Sequence, residues 1–103
     1  MKRDLDRAAD YVAAHPQGTV EILLHGSDVH AFASGSARPD VLRRATVLAQ
    51  AGRVRFRVCD LALTYEGLAL SDLPAYVGRL PYVPARVIEL RAQGARALGL
   101  DQP

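Results

Sequence analysis

The sequence has a single cysteine and no long apolar run, and its charges nearly cancel. One cysteine excludes an intramolecular disulfide, so nothing in the chain indicates a secreted, cross-linked scaffold. No stretch approaches the roughly 18 apolar residues that a membrane-spanning helix needs. The charged start at residues 1–7 also lacks the apolar region of a signal peptide. These absences favour a cytoplasmic protein that does not enter a membrane.

The charge pattern argues against nucleic acid as a partner. The chain of 103 residues has 13 Lys and Arg against 11 Asp and Glu, a net charge of +2. Because the basic residues are scattered, they do not form the stripe expected of a nucleic-acid-binding protein. Half of the residues are hydrophobic and 23% are charged, a balance typical of a folded protein and consistent with one domain over residues 1–103.

Hydrophobic periodicity predicts helices and strands in alternation. Helices are predicted at 3–14, 39–51, 60–66 and 84–93, and strands at 19–25, 53–59, 79–83 and, as a short edge strand, 97–100. Such alternation is typical of a mostly parallel sheet with helices on both faces. The sequence therefore predicts a three-layer α/β/α domain with a sheet of four to five strands.

The lone thiol, Cys59, ends a predicted strand directly before a predicted helix start at Asp60. Open α/β sheets bind ligands beyond the carboxyl ends of their strands. The free N–H groups and the positive dipole end of the following helix favour thiolate, the reactive form of cysteine. The alternative is that Cys59 is a small buried hydrophobe without reactivity, as many lone cysteines are.

Two charged neighbours act on this thiol in opposite directions. Arg57 shares the strand face of Cys59 by period-two alternation, and its charge would favour thiolate. Alternatively, its stem covers the sheet while its guanidinium group reaches water. Asp60 is a negative neighbour and would disfavour thiolate.

The segment after the preceding strand is predicted to open onto the same sheet edge as Cys59. It contains His25, Gly26 and Ser27. His25 would serve as a base or proton donor beside the thiol. Alternatively, it bonds to the local backbone while Gly26 makes a tight turn.

The sequence offers no convincing metal or cofactor site. A site formed by His25, His30 and Cys59 is rejected, because its spacing matches no standard zinc pattern and it offers only one thiol. The chain also lacks the Gly-Lys-Ser/Thr ending of a phosphate-binding loop and the Gly-x-Ser-x-Gly nucleophile elbow. No metal and no cofactor are predicted.

Five segments of the chain, taken in order, resemble the pattern of one protein family. They are Val20-Glu-Ile-Leu-Leu-His-Gly26, the helix ending Ala51-Gly52, Val54-Arg-Phe-Arg-Val-Cys59, Leu63 with Gly67-Leu68, and Tyr82-Val-Pro-Ala-Arg-Val-Ile-Glu-Leu-Arg-Ala-Gln-Gly94. Taken together they resemble the DsrE/DsrF-like family of sulfur-relay proteins. The best-matching pieces are the Phe-x-x-Cys strand end and the Val-Pro-Ala-x-Val-x-Glu-Leu helix start.

The resemblance implies a compact α/β domain that assembles into trimers, hexamers or similar rings. It also implies that a cysteine in this position carries sulfur as a persulfide. The sulfur comes from a donor and passes to an acceptor protein, and by position the carrier would be Cys59.

Two features depart from the family pattern. The family usually begins with a strand before its first helix, whereas this chain starts almost directly in that helix. A missing strand would leave backbone N–H and C=O groups unpaired and open to another chain. Where the family often has Asn and Thr after the cysteine, this chain has Asp60-Leu-Ala-Leu63. The alternative function is therefore a non-catalytic assembly, or a small-molecule-binding or regulatory module, in which Cys59 is inert.

Overall fold

The structure is a computed structural model that describes residues 1–24 and 26–98. The helices are α1 (Lys2–Ala14), α2 (Asp28–Phe32), α3 (Pro39–Gln50), α4 (Asp60–Glu66) and α5 (Val83–Ala92). The strands are β1 (Val20–Leu24), β2 (Val54–Cys59) and β3 (Val77–Leu80). The protein thus has the predicted α/β class. Within the described part of the chain, no helix is long and apolar enough to cross a membrane.

The three strands form one parallel sheet in the order β1-β2-β3. Parallel neighbours need a crossover connection, and here α2 and α3 connect β1 to β2 while α4 connects β2 to β3. The described residues therefore contain three strands, fewer than the predicted four to five. Residues 97 and 98 of the predicted edge strand 97–100 are not in a strand, and its remainder lies outside the described residues.

The hydrophobic core lies between one face of the sheet and helices α1 to α4. On β2 the alternating residues Val54, Phe56 and Val58 are all buried, because every second residue of a strand faces the same side. The helices contribute Leu5 and Ala8, Val29 and Phe32, Val41 and Ala45, and Ala62 and Leu63. The ring centroids of Phe32 and Phe56 are 5.4 Å apart, so the short helix α2 packs directly on the central strand.

The opposite face of the sheet holds a group of charged residues. Glu21 of β1 accepts two hydrogen bonds from Arg86 of α5, at 2.8 and 2.9 Å. Arg57 of β2 places its Nε 3.2 Å from the same carboxylate. The hydrogen bond from Arg86 is the main reason why the pKa of Glu21 lies below its ordinary value. No residue of α5 is fully buried, so this ion pair attaches the helix to the sheet together with the partly buried Val83.

Two further elements differ from the sequence-based prediction. The third strand was predicted at 79–83, but β3 begins two residues earlier and ends at Leu80. Pro81 has no N–H group to donate to a strand neighbour, so the strand ends before it. Helix α2 was not predicted, because its five residues are too few for a helical period to show.

Candidate functional site

Cys59 is the last residue of β2 and also the N-cap residue of α4. Its backbone is extended, with φ −75° and ψ 135°, and the helix begins with the next residue. In the sheet it lies opposite Leu80, the last residue of β3. The structure therefore places the thiol at the carboxyl edge of the sheet, on its middle strand.

Cys59 is a buried residue. The thiol is free, and the residue is only 6% exposed. Its Sγ lies 3.9 Å from the carbonyl oxygen of Pro81, to which the S–H group donates a weak hydrogen bond. Pro81 begins the connection between β3 and α5. A donor that reacts with this sulfur therefore needs a local movement that opens a path to it.

The carboxylate of Asp60, the residue after Cys59, is paired with an arginine. Arg79 of β3 donates to both oxygens of Asp60, with its Nε 2.8 Å from Oδ1 and its Nη2 3.2 Å from Oδ2. This bond raises the pKa of Arg79 above its ordinary value. The local sequence around Cys59 indicates the charge of Asp60 but not its partner Arg79. Only the register of β2 against β3, which no local pattern reveals, brings the two residues together.

Arg57 lies two residues before Cys59, but its charge is directed to another group. Its Nε is 3.2 Å from Oε1 of Glu21, which also binds Arg86. The positive charge that was predicted to favour thiolate at Cys59 is therefore shared with a carboxylate. Glu21 was missed as well, although a lone acidic residue inside an apolar strand is a signal that could have identified it.

Gly26 and Ser27, two of the predicted pocket residues, follow β1 at the same sheet edge as Cys59, because Leu24 pairs with Val58. Gly26 has φ +58°, a left-handed conformation that glycine adopts without strain, as a tight turn requires. Ser27 is the N-cap residue of α2, and its side chain makes no capping hydrogen bond. His25 lies outside the described residues, so its predicted role stays a prediction.

His30, which was considered as a metal ligand and rejected, contacts a side chain of another helix. His30 of α2 places its Nε2 2.8 Å from Oε1 of Glu66, a contact that joins α2 to α4. Residues 1–24 and 26–98 contain no group of three His, Cys, Asp or Glu side chains that could hold a metal ion.

A cleft of about 260 Å³ lies on another part of the sheet, away from Cys59. Its lining includes Arg55, Arg57, Tyr76 and Gly78, but not the thiol. Small-molecule pockets usually occupy about 300–1,000 Å³, so this cleft is below the usual range. This cleft therefore gives little support to the small-molecule-binding alternative. A second hollow of about 470 Å³ is larger, but its lining residues all belong to α3.

Comparisons with known proteins identify the fold and no function. No family model matches the chain, and no curated protein matches its sequence significantly. A similar solved structure is that of a protein of unknown function, MTH1491 from Methanobacterium thermoautotrophicum. The TM-score is 0.77 at 16% identity, and the match covers 89% of this chain and 79% of that one. At this identity the likeness shows a shared α/β fold alone.

Proposed function

We propose that this chain is a sulfur-relay protein of the DsrE/DsrF-like type, with Cys59 as the carrier. The observation that carries the proposal is the position of the thiol at the carboxyl end of the middle strand, directly before α4. This is the edge at which open α/β sheets bind their ligands. The order of motifs that resembles the family supports the same role.

The proposed reaction transfers one sulfur atom in two steps, each of which releases a thiolate. The Cys59 thiolate attacks the terminal sulfur of a donor persulfide, forming a Cys59 persulfide and releasing the donor thiolate. A thiolate of the acceptor protein then attacks the outer sulfur and releases the Cys59 thiolate. The pairing of Asp60 with Arg79 supports this role, because it offsets the negative charge of the residue that follows Cys59.

The proposal includes the wider features that the family resemblance implies. These are a cytoplasmic location, a homo-oligomer such as a trimer or hexamer, and donor and acceptor proteins as partners. They also include a three-layer fold in which the sheet has four to five strands. The attachment of α5 to the face opposite α1–α4 is consistent with a third layer.

The second candidate is an assembly or regulatory module with an inert thiol. The observation that favours it is the burial of Cys59, which is only 6% exposed. A sulfur that stays covered cannot meet a donor protein. The two candidates therefore differ in whether the native fold lets a reagent reach this sulfur.

The experiment is to incubate the folded protein with a low-molecular-weight persulfide and to measure its intact mass. Because Cys59 is the only cysteine, any added sulfur that a thiol can remove reports on this residue alone. The relay proposal predicts a gain of one sulfur atom and its loss when an acceptor thiol is added. It is wrong if the native protein gains no sulfur.

Two controls make the result specific. The Cys59→Ser variant has no thiol and must gain no removable sulfur. Alkylation near neutral pH is compared between native protein and protein unfolded in urea. Modification that occurs only after unfolding would establish the inert-thiol candidate, whereas similar rates in both states would exclude it.

A further inference from the structure

The outer edge of β1 is open along its backbone. Val20 directs its N–H group toward β2, where it bonds to the carbonyl oxygen of Arg53 at 2.9 Å. Successive residues of a strand point their backbone groups to opposite sides, so those of Glu21 and Leu23 point away from β2. Among residues 1–24 and 26–98, these outward groups have no backbone partner.

This edge lacks the features by which proteins normally block pairing with another chain. Such features are proline, exposed charge, a bulge or a very short strand. The sequence of β1, Val-Glu-Ile-Leu-Leu, has no proline and no lysine. Its one charged residue, Glu21, turns onto the sheet face, where its side chain is 10% exposed and binds Arg57 and Arg86. By contrast, β3 at the other edge has four residues and carries the exposed Arg79.

We propose that the outer edge of β1 pairs with the same edge of a second copy of this chain. The outward groups belong to Glu21 and Leu23, which lie on either side of Ile22. A two-fold axis through Ile22 therefore makes the edge complementary to itself in antiparallel pairing. Glu21 then lies opposite Leu23 of the second copy, and Leu23 opposite its Glu21. Each such pair exchanges both of its backbone bonds, which gives about four hydrogen bonds.

The occupant is an extended strand because only backbone groups in that conformation match the spacing of the edge. A second copy supplies such a strand with the required symmetry. Charge does not oppose the contact, since each Glu21 already binds two arginines of its own chain. The three described strands of each copy then join in one sheet of six strands, a common size in globular proteins. This inference does not involve Cys59, and it gives the homo-oligomer of the proposed function one specific interface.

The test compares Leu23→Pro with Leu23→Ala by analytical ultracentrifugation over a range of concentrations. Proline removes an N–H group that points away from β2, so the bonds between β1 and β2 remain. Alanine removes the same side chain but keeps the N–H group. The proline variant is expected to dimerise roughly 30-fold more weakly than the alanine variant, since each dimer loses two backbone hydrogen bonds.

Hydrogen exchange of the wild-type protein keeps the proposal testable if the proline variant does not fold. The amides of Glu21 and Leu23 are expected to exchange fast in the monomer and slowly in the dimer. A protein that stays monomeric at all concentrations overturns the proposal. So does a dimer in which these amides exchange fast, or one that Leu23→Pro leaves as tight as Leu23→Ala. A monomer with protected amides also overturns it, since another part of the chain then covers the edge. The persulfide assay on the same variants reports on Cys59 separately.

Discussion

Replacing Glu21 by glutamine removes the charge that attaches α5 to the sheet. The carboxylate accepts hydrogen bonds from Arg86 at 2.8 and 2.9 Å and lies 3.2 Å from Arg57. A hydrogen bond to a charged group contributes about 1.5–3 kcal/mol. Glutamine keeps one acceptor oxygen, and both arginines are partly exposed, so only part of this contribution is lost. We expect the Glu21→Gln variant to lose about 1–2 kcal/mol of unfolding free energy, or roughly 5–10 °C in Tm.

The pH dependence provides a sharper test of the same contact. The pKa of Glu21 in the folded protein lies below its ordinary value of 4.5, chiefly because Arg86 hydrogen-bonds to the carboxylate. A lowered pKa contributes stability that is fully present above pH 4.5 and is lost as the pH falls through the folded value. The difference in unfolding free energy between wild type and Glu21→Gln should therefore be constant near neutral pH. It should shrink once the pH falls below 4.5.

Urea unfolding followed by circular dichroism at several pH values measures both effects. Glu89→Gln is the matched control, since Glu89 is 62% exposed and lies 4.0 Å from Arg86. This control should change stability by less than about 0.5 kcal/mol. The role given to the Glu21 charge is refuted if Glu89→Gln destabilises the protein as much as Glu21→Gln does. It is also refuted if the difference in unfolding free energy between wild type and Glu21→Gln stays constant down to low pH.

Two further predictions concern how the fold holds the candidate site. Arg53 donates three hydrogen bonds, at 2.8, 2.8 and 3.2 Å, to carbonyl oxygens in the last turn of α1 and just after it. Arg53→Met should lower the free energy of unfolding, measured in urea, by about 1–3 kcal/mol. Arg55→Met is the control and should change it little, because Arg55 is exposed. Equal losses in the two variants would contradict this role of Arg53. Gly67 ends α4 with φ +70°, so Gly67→Ala should lower the unfolding free energy by about 1 kcal/mol. Gly78→Ala is the control, because Gly78 lacks a positive φ and the nearest atoms to an added Cβ are 3.9 Å away. A loss of unfolding free energy in Gly78→Ala as large as in Gly67→Ala would contradict this role of Gly67.

Much of the fold could be predicted from local sequence signals. Pro39 and Gly52 delimit α3, and Gly67 ends α4, because these residues act on the backbone at their own positions. The alternation of Val54, Phe56 and Val58 on β2 is likewise a local signal of its buried face. By contrast, β3 was placed too late, because Val77 follows an irregular segment and Pro81 interrupts the apolar run.

The candidate site was less predictable, because its contacts join distant parts of the chain. Cys59 was placed at the end of β2 by a local pattern, a strand followed by a helix start. The pairs Asp60–Arg79 and Glu21–Arg86 are separated by 19 and 65 residues. They depend on strand register and on the course of α5 across the sheet, which no short motif encodes. The contact between the Cys59 sulfur and the carbonyl oxygen of Pro81 likewise joins residues 22 positions apart.

The most direct test of the proposed function is the intact mass of the native wild-type protein after exposure to a persulfide. Sulfur relay predicts that the protein gains one sulfur atom, that an acceptor thiol removes it, and that Cys59→Ser gains none. The proposal is contradicted if the folded protein gains no sulfur while the urea-unfolded protein, treated in the same way, does. In that case the covered thiol at the end of β2 is a structural residue.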